Sequence, residues 1–458
     1  MTLIAGLPIV TATEMRAAED QVIAADRSVD DLMAQAGAGV ADIVAQQANG
    51  RRVLVICGPG NNGGDGYVAA CRLAEAGLSV RVAAIAAPRT DSAIRARAAW
   101  HGPVEALADA APAPVLVDCL FGTGLTRAID PAIAAALVRL VAAAEFSIAV
   151  DLPSGVASDD GMLLGAVPAF DRTVALGAVK LSHLLQPSAS LCGMIDVVDL
   201  GLDLPGTTTV LAPPVLGPPP PEAHKYSRGM VAVIGGAMAG AGLLTAIAAL
   251  RSGAGYVTVL GGEGGGPHAL VHRPLSATTL AETRIGALVI GPGLGRDEGA
   301  RAKLADALST AHKLLIDGDA LHLVSVDQLA TRRVPMVLTP HAGEFAALFG
   351  PGVGSKIDRT RDAARRSGAV VVFKGADTVI ADPKGRVIVA EPGSSWLSTA
   401  GTGDVLAGAI AAMLASGLPP IDAAAAGVWL HAAAARCCAG AFIADDLAFA
   451  LSAVRGGV

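Results

Sequence analysis

A chain of 458 residues carries 34 Lys and Arg against 41 Asp and Glu, a formal net charge of -7, and only 3 Trp, 3 Tyr and 8 Phe. That length exceeds one ordinary core and suits two domains of a little over two hundred residues each. The acidic balance leaves no basic footprint and the few aromatics leave no stacking platform, which excludes nucleic acid as an expected partner.

No positive charge precedes the apolar residues of 1–13, so the first region of a secretory signal is missing and a cytoplasmic location is expected. The apolar run 405–421 is broken by Ser416, Gly417 and the Pro419–Pro420 pair, which argues against a membrane span and a membrane partner. Cys57, Cys71, Cys119, Cys192, Cys437 and Cys438 show no CxxC spacing and are expected to be free thiols, the last two inside a helix core.

Residues 12–48 read as helical, with Thr13 and Ser28 as N-caps. The period then changes. Arg52–Cys57 is a short buried-strand pattern, Gly58–Gly66 a glycine loop, and Tyr67–Glu75 a helix closed by Gly77. Strands are also expected at Val80–Ala86, Val115–Cys119, Phe146–Asp151 and Thr173–Leu176. The first half is therefore a doubly wound, Rossmann-like α/β domain. Its ligand belongs beyond the carboxyl ends of the strands, where the loops 58–66, 118–125 and 151–155 should converge.

The first loop holds a formal GxGxxG at Gly58, Gly60 and Gly63, which raises a nicotinamide dehydrogenase. Val82–Pro88 lacks the acidic residue that such a fingerprint uses to hold the ribose. What stands out is Asn61, Asn62 and Asp65 among five glycines, in a chain with one other asparagine, Asn49. Side-chain amides beside exposed backbone amides bind phosphate and sugar, and their oxygens hold cations; an Asx-type turn without a ligand is the alternative. Asp118 and Asp151 each end a strand before a small turn, where each singly also reads as a helix cap.

Taken together, Asn61-Asn-Gly-Gly-Asp-Gly66, Asp118-Cys-Leu-Phe-Gly-Thr-Gly-Leu125, Asp151-Leu-Pro-Ser-Gly155 and Thr173–Lys180 resemble the NAD(P)H-hydrate epimerase domain across residues 10–205. The resemblance implies that Asn61, Asn62, Gly63, Gly64, Asp65, Gly122, Thr123, Gly124, Leu125 and Thr126 contact the hydrated cofactor. It also implies that Asn62, Asp118 and Ser154 coordinate K+, and that Asp151 touches the substrate and does acid/base work at ring carbon C6. A proton shuttle in a partly desolvated crevice is expected to have its pKa raised toward neutrality.

Pro213–Pro221 can join neither a helix interior nor a central strand, so it reads as a semi-rigid spacer 213–221 between domains 1–212 and 222–458. Beyond it, strands are expected at Met230–Gly235, Tyr256–Leu260, Ala287–Gly291, Leu314–Asp317, Met336–Thr339 and Val370–Lys374, with helices at Leu243–Ser252 and Asp404–Ala415. This is a second doubly wound α/β domain with different loops and no repeat of the first. Arg359, Arg361, Arg365 and Arg366 are expected on a solvated helix face.

Three segments carry possible chemistry here: Gly291–Gly295, Thr339–Glu344 and Ser398–Leu406. In the last, Gly401 and Gly403 let the backbone curl and Asp404 sits where the unpaired amides of a helix start point. That arrangement stabilises a transferring phosphoryl group and places a base beside it, although Thr402 or Asp404 as a plain cap is the alternative.

With Lys374-Gly-Ala-Asp-Thr378 upstream, the Ala400–Asp404 segment resembles the ribokinase-like superfamily. Adding His224–Gly229, Gly291–Gly295, Leu315–Leu321 and Thr339–Glu344, residues 222–455 resemble the ADP- or ATP-dependent NAD(P)H-hydrate dehydratase domain. The resemblance implies that Ala241, Gly293, His341 and Asp404 contact the hydrated nicotinamide. Lys374, Gly375, Ala376, Asp377 and Thr378, with Gly403, would hold the nucleotide, and Asp404 would take the hydroxyl proton while Mg2+ offsets charge. His322 and Ala342 stand where this family carries asparagine and proline. The expectation is a bifunctional enzyme acting on NAD(P)HX with ADP, as a homo-oligomer. A ribokinase-like vitamin or sugar kinase and a non-enzymatic nucleotide-binding module are the competing readings.

Overall fold

The computed structural model describes residues 4–262 and 264–458. They form two compact units, Met1–Val210 and Leu211–Val458.

After a two-residue strand at Ile9–Val10, which pairs in parallel with Val179–Lys180, the first unit continues with α1 (Ala12–Ala24) and α2 (Val29–Ala48). The N-cap of α1 is Thr11 rather than Thr13. Glu14 closes a capping box there: its carboxylate accepts from the Thr11 amide at 2.8 Å while Thr11 Oγ1 accepts from the Glu14 amide at 3.1 Å. Ser28 caps α2 as expected. Then follow β1 (Val53–Cys57), α3 (Asn61–Glu75), β2 (Val80–Ala84), α4 (Asp91–Ala99), β3 (Val104–Ala106), β4 (Val115–Cys119), α5 (Pro131–Ala143), β5 (Phe146–Val150), β6 (Arg172–Leu176) and β7 (Met194–Val198). The sheet is parallel throughout, in the order β3-β2-β1-β4-β5-β6-β7. Strand order reverses between β1 and β4, and that switch point opens a crevice at their carboxyl ends. Alternation along β1 feeds two cores: Val53, Val55 and Cys57 pack with α1 to α3, while Leu54 and Ile56 pack with Leu137 and Leu140 of α5. The edge strands β3 and β7 were not expected; β3 has three residues and β7 is only half-buried.

The second unit comprises β8 (Met230–Ile234), α6 (Ala239–Arg251), β9 (Tyr256–Leu260), β10 (Val271–Arg273), β11 (Ile285–Ile290), α7 (Glu298–Ser309), β12 (Leu314–Ile316), β13 (Met336–Leu338), α8 (Ala342–Phe349), α9 (Lys356–Ser367), β14 (Val370–Phe373), β15 (Val379–Ala381), β16 (Val387–Val389), α10 (Thr402–Ala415), α11 (Pro420–Cys437) and α12 (Ala444–Gly456). Its strands follow the order β16-β15-β14-β13-β12-β11-β8-β9-β10. They are parallel except for the antiparallel ladder β14-β15-β16. That ladder was not expected, because β15 and β16 have three residues each. α6 and α10 pack so closely that a Cβ on Gly408 would stand 2.2 Å from the Thr245 carbonyl oxygen.

Two side-chain expectations fail in this unit. Arg359 is not on a solvated face: its guanidinium lies over Phe345 at 5.1 Å and Phe373 at 5.4 Å. Cys437 is exposed rather than core, since it ends α11 after the buried Ala433–Ala435 turn. All six cysteines are free thiols.

The proline-rich stretch has no regular secondary structure, and its first part is fastened to the second unit. Leu211 is buried in that unit's core, and its amide donates to the Val389 carbonyl at 2.8 Å. Arg455 of α12 donates to the carbonyls of Leu216 and Gly217 at 2.6 and 3.3 Å. Among the described residues no helix is long and apolar enough to cross a membrane.

Candidate active sites

The glycine loop of the first unit is shorter than its composition suggests. Gly60 is an N-cap and α3 begins at Asn61, so the Asn61–Gly66 segment forms the first turns of a helix. Its glycines serve close packing: a Cβ on Gly63 would stand 1.9 Å from the Gly58 carbonyl oxygen, and one on Gly64 would stand 2.5 Å from Met33 Cε. Glycine lowers helix propensity, and here tertiary contact overrides that preference.

A cavity of about 870 Å3 opens at this point. Asn61, Asn62, Asp65, the Gly122–Thr126 turn and Asp151 line it, as do α1 and α2 from the opposite side; Gly63, Gly64, Asp118 and Ser154 do not. Asn61 is fixed by Thr90, whose hydroxyl donates to its Oδ1 at 2.6 Å.

Asp151 is the most constrained residue of the site. Its φ is +66°, a left-handed conformation that aspartate tolerates better than most residues. Oδ2 accepts from the Thr123 amide at 2.7 Å and hydroxyl at 2.6 Å, and Oδ1 from Lys180 Nζ at 2.5 Å. Gly122 has to be glycine, since a Cβ would stand 2.5 Å from Asp151 Oδ2. His183 Nδ1 accepts from the Lys180 amide at 2.9 Å, so Nε2 carries the hydrogen and donates to the Asp151 carbonyl at 2.7 Å. Burial lowers the His183 pKa to about 4, with Lys180 adding, and the ring is neutral.

The expected rise in the Asp151 pKa is not found. Burial alone would raise it, but the Lys180 ammonium and the Thr123 donors outweigh burial and hold it below the ordinary carboxylate value. The raised carboxyls are two others lining the same cavity. Asp65 is pushed well above its usual value by burial, with Asp151 and Glu19 adding, and Glu19 of α1 is raised by burial against the pull of Lys180. Carboxyls pushed in opposite directions thus line one space, Asp151 below and Asp65 and Glu19 above the ordinary value, an arrangement suited to acid/base work.

Asp118 and Ser154 sit fully buried together. Asp118 accepts from the Leu120 amide at 3.0 Å, the Ser154 amide at 3.0 Å and the Ser154 hydroxyl at 2.8 Å, and burial still raises its pKa to about 6. Asn62 Nδ2 donates to the Val150 carbonyl at 3.3 Å, while its Oδ1 is buried with no hydrogen-bond partner. An orphaned amide oxygen and a buried carboxylate are a donor set that fits a monovalent cation.

In the second unit, Asp404 lies in the first turn of α10, behind Gly401, whose φ is +89°. Burial raises its pKa to about 7; Asp317 and Glu344 add to the rise and Lys374 opposes it. Lys374 Nζ stands 2.7 Å from Asp317 Oδ1 and 3.8 Å from Glu344 Oε2, and a Cβ on Gly403 would be 3.4 Å from it. The lysine of the expected nucleotide turn therefore points at the start of α10. Thr339 adds a 2.7 Å hydrogen bond to Asp317.

His341 caps α8, its Nδ1 accepting from the Gly343 and Glu344 amides at 3.0 and 3.2 Å. Ala342 follows at the first helical position, where proline is also at home. A Cβ on Gly293, whose φ is +59°, would stand 2.9 Å from Ala241 Cβ, so those two expected substrate contacts adjoin. Gly375, Ala376, Asp377 and Thr378 form a turn in which the Thr378 hydroxyl donates to the Gly375 carbonyl at 2.9 Å. Among the described residues no cluster of three or more His, Cys, Asp or Glu forms a metal centre. Asp317 and Glu344 both face Lys374.

Residue-by-residue reading missed Lys180, His183 and Glu19 in the first unit and Asp317, Glu344 and Lys356 in the second. Lys180, Asp317 and Glu344 lie within segments whose pattern was legible; their signal was a charged residue inside an otherwise apolar or glycine-rich run.

Residues 29–182 match the family described as YjeF-related protein N-terminus, and residues 231–453 the family described as NAD(P)H-hydrate dehydratase. The bifunctional NAD(P)H-hydrate repair enzyme Nnr of Mycobacterium tuberculosis is 37% identical over 438 residues, covering 90% of each chain. The enzyme of the same description from Escherichia coli K12 is 36% identical, covering 90% of this chain and 86% of its own. That of Salinibacter ruber is 35% identical, covering 94% and 92%. With two sites built on separate α/β units and full-length relatives of this kind, the chain belongs to the family of bifunctional NAD(P)H-hydrate repair enzymes.

Proposed function

We propose that the first unit interconverts the R and S epimers of NAD(P)HX and that the second dehydrates the S epimer at the expense of ADP, releasing NAD(P)H, AMP and phosphate. The observation that carries this reading is Asp404, a carboxyl with its pKa near 7 at a glycine-bounded helix start, with the Lys374 ammonium beside it.

Hydroxide is a poor leaving group, so the C6 hydroxyl is first phosphorylated. Asp404 takes its proton as the oxygen attacks the terminal phosphorus of ADP and the bond to AMP breaks. Lys374 and the amides at Gly401–Gly403 stabilise the charge on the phosphoryl oxygens. The C6–O bond then breaks, phosphate leaves as the N1 lone pair forms the C6=N1 bond, and loss of a C5 proton gives the dihydropyridine. Mg2+, carried by the nucleotide, would supply further offset of phosphoryl charge beside Lys374.

In the first unit, Asp65, whose hold on a proton burial strengthens, protonates the C6 hydroxyl and water departs as N1 pushes in its lone pair. A second water adds to the opposite face and yields its proton to ionised Asp151, whose charge also faces the cationic ring. Transfer of that proton back to Asp65 resets the site. Asn62, Asp118 and Ser154 would hold K+, which supplies the positive charge that the buried Asp118 lacks.

Racemic hydrate given with ADP or ATP decides the dehydratase: dihydronicotinamide absorbance returns, and a stable phosphorylated product instead would make the second unit a simple kinase. Replacing K+ by a bulky organic cation should slow consumption of pure R hydrate and leave that of S hydrate unchanged; equal slowing of both removes the K+ assignment. Light scattering tests the expected homo-oligomer.

A further inference from the structure

Lys356 of α9 lies outside every motif that the sequence displays, yet its side chain reaches the 374–378 turn. Its Nζ is 2.5 Å from Asp377 Oδ1 and 3.4 Å from the Lys374 carbonyl oxygen, and it lies over the Phe373 ring at 4.5 Å. Phe373 is itself stacked on Phe345 at 4.1 Å, with Arg359 over both rings, so the lysine rests on a rigid base. The pair is well buried, with side chains 15% and 12% exposed. Desolvating an ammonium is costly, and burial lowers the Lys356 pKa against the pull of Asp377. The backbone of the turn closes directly on this group: a Cβ on Gly375 would stand 2.7 Å from Nζ. On the inner side the Thr378 hydroxyl ties Gly375 through both its amide, at 3.3 Å, and its carbonyl, at 2.9 Å.

We propose that Lys356 is a positioning residue for the nucleoside diphosphate: paired with Asp377, it holds the 374–378 turn in the shape that receives the nucleotide and does not touch the reacting atoms. The proposal rests on the reading of that turn as the nucleotide site. It separates two lysines of like charge and burial. Lys374 faces the reacting phosphoryl group, whereas Lys356 acts behind the turn and bears on affinity alone.

The test uses the full chain, with calorimetric binding of ADP and steady-state kinetics on S hydrate. Lys356→Met should raise both the Kd and the KM for ADP by about tenfold while kcat at saturating ADP and the KM for hydrate stay within about twofold. Lys356→Arg, which keeps the ion pair, should recover most of the affinity. Gly375→Ala displaces the same ammonium, so it should weaken ADP binding in the wild-type background and add little in the Lys356→Met background. Wild-type ADP affinity in a folded Lys356→Met variant, or fully additive losses in the double variant, overturns the proposal. Should Lys356→Met fail to fold, unchanged ADP affinity in Gly375→Ala overturns it. If the wild-type chain itself binds no ADP, the nucleotide reading of the turn falls first.

Discussion

At the scale of single residues burial pushes both aspartates up, and it wins at Asp404 but loses to a partner cation at Asp151. Asp404 is raised to about 7, so it is a base only once ionised, and dehydratase kcat/KM should fall on the acid side with a midpoint near pH 7. Asp404→Asn should cost about 10²- to 10⁴-fold in kcat and abolish that limb. The same shift has a stability signature. A folded-state pKa raised above the unfolded value favours the fold below the unfolded pKa, near 3.8, and that contribution is lost as pH rises through about 7. Asp404→Asn should therefore melt above the wild type at pH 8, with the gap shrinking toward pH 4; a constant gap would mean that Asp404 is not desolvated. Asp151 is held ionised by Lys180 instead. Asp151→Asn keeps a residue content with positive φ but strands a buried ammonium, and should lower stability by about 3–5 kcal/mol in denaturant unfolding.

At the scale of elements the sharpest case is the start of α3. Gly63→Ala puts a methyl group within 1.9 Å of the Gly58 carbonyl oxygen, which forces the β1–α3 junction apart. Consumption of R hydrate should be lost while S hydrate is still dehydrated, measured on the same preparation; retained epimerase activity would show that the junction yields. This is also where sequence reasoning and structure part company. Buried strands such as Val115–Cys119 and Tyr256–Leu260 are legible to the residue, because short runs dominated by β-branched and apolar residues leave little choice. The helical turns at 61–66 are not, because glycine content argues for a loop and only Met33, Cys119 and the Gly58 carbonyl, far away or facing back, require small residues there. Asp118, Asp151 and Asp404 stand out in the sequence because each ends a strand or begins a helix, where chemistry concentrates. Lys180 and Asp317 escaped because a charge inside an apolar run marks a buried ion without naming the distant partner that fixes its role; Lys180 and Asp151 are 29 residues apart. The three-residue strands of the β14-β15-β16 ladder fall below the length at which period-2 alternation can be recognised.

At the scale of the whole molecule, each unit buries its own core and carries its own candidate site. The proline-rich stretch 213–221 reads from sequence as a spacer, and proline keeps it out of helix and sheet. Its sequence could not show that the stretch is partly committed to one side. Leu211 and Leu216 pack on the core of the second unit, and Arg455 clamps the carbonyls of Leu216 and Gly217. This bears on where the polypeptide can be cut. A second unit beginning at Glu222, where composition places the border, leaves the Arg455 guanidinium and a strip of apolar core facing solvent; one beginning at Leu211 keeps both covered. The longer fragment should melt several degrees higher and stay soluble where the shorter one aggregates, so the workable seam for dissecting this enzyme lies before the prolines rather than after them.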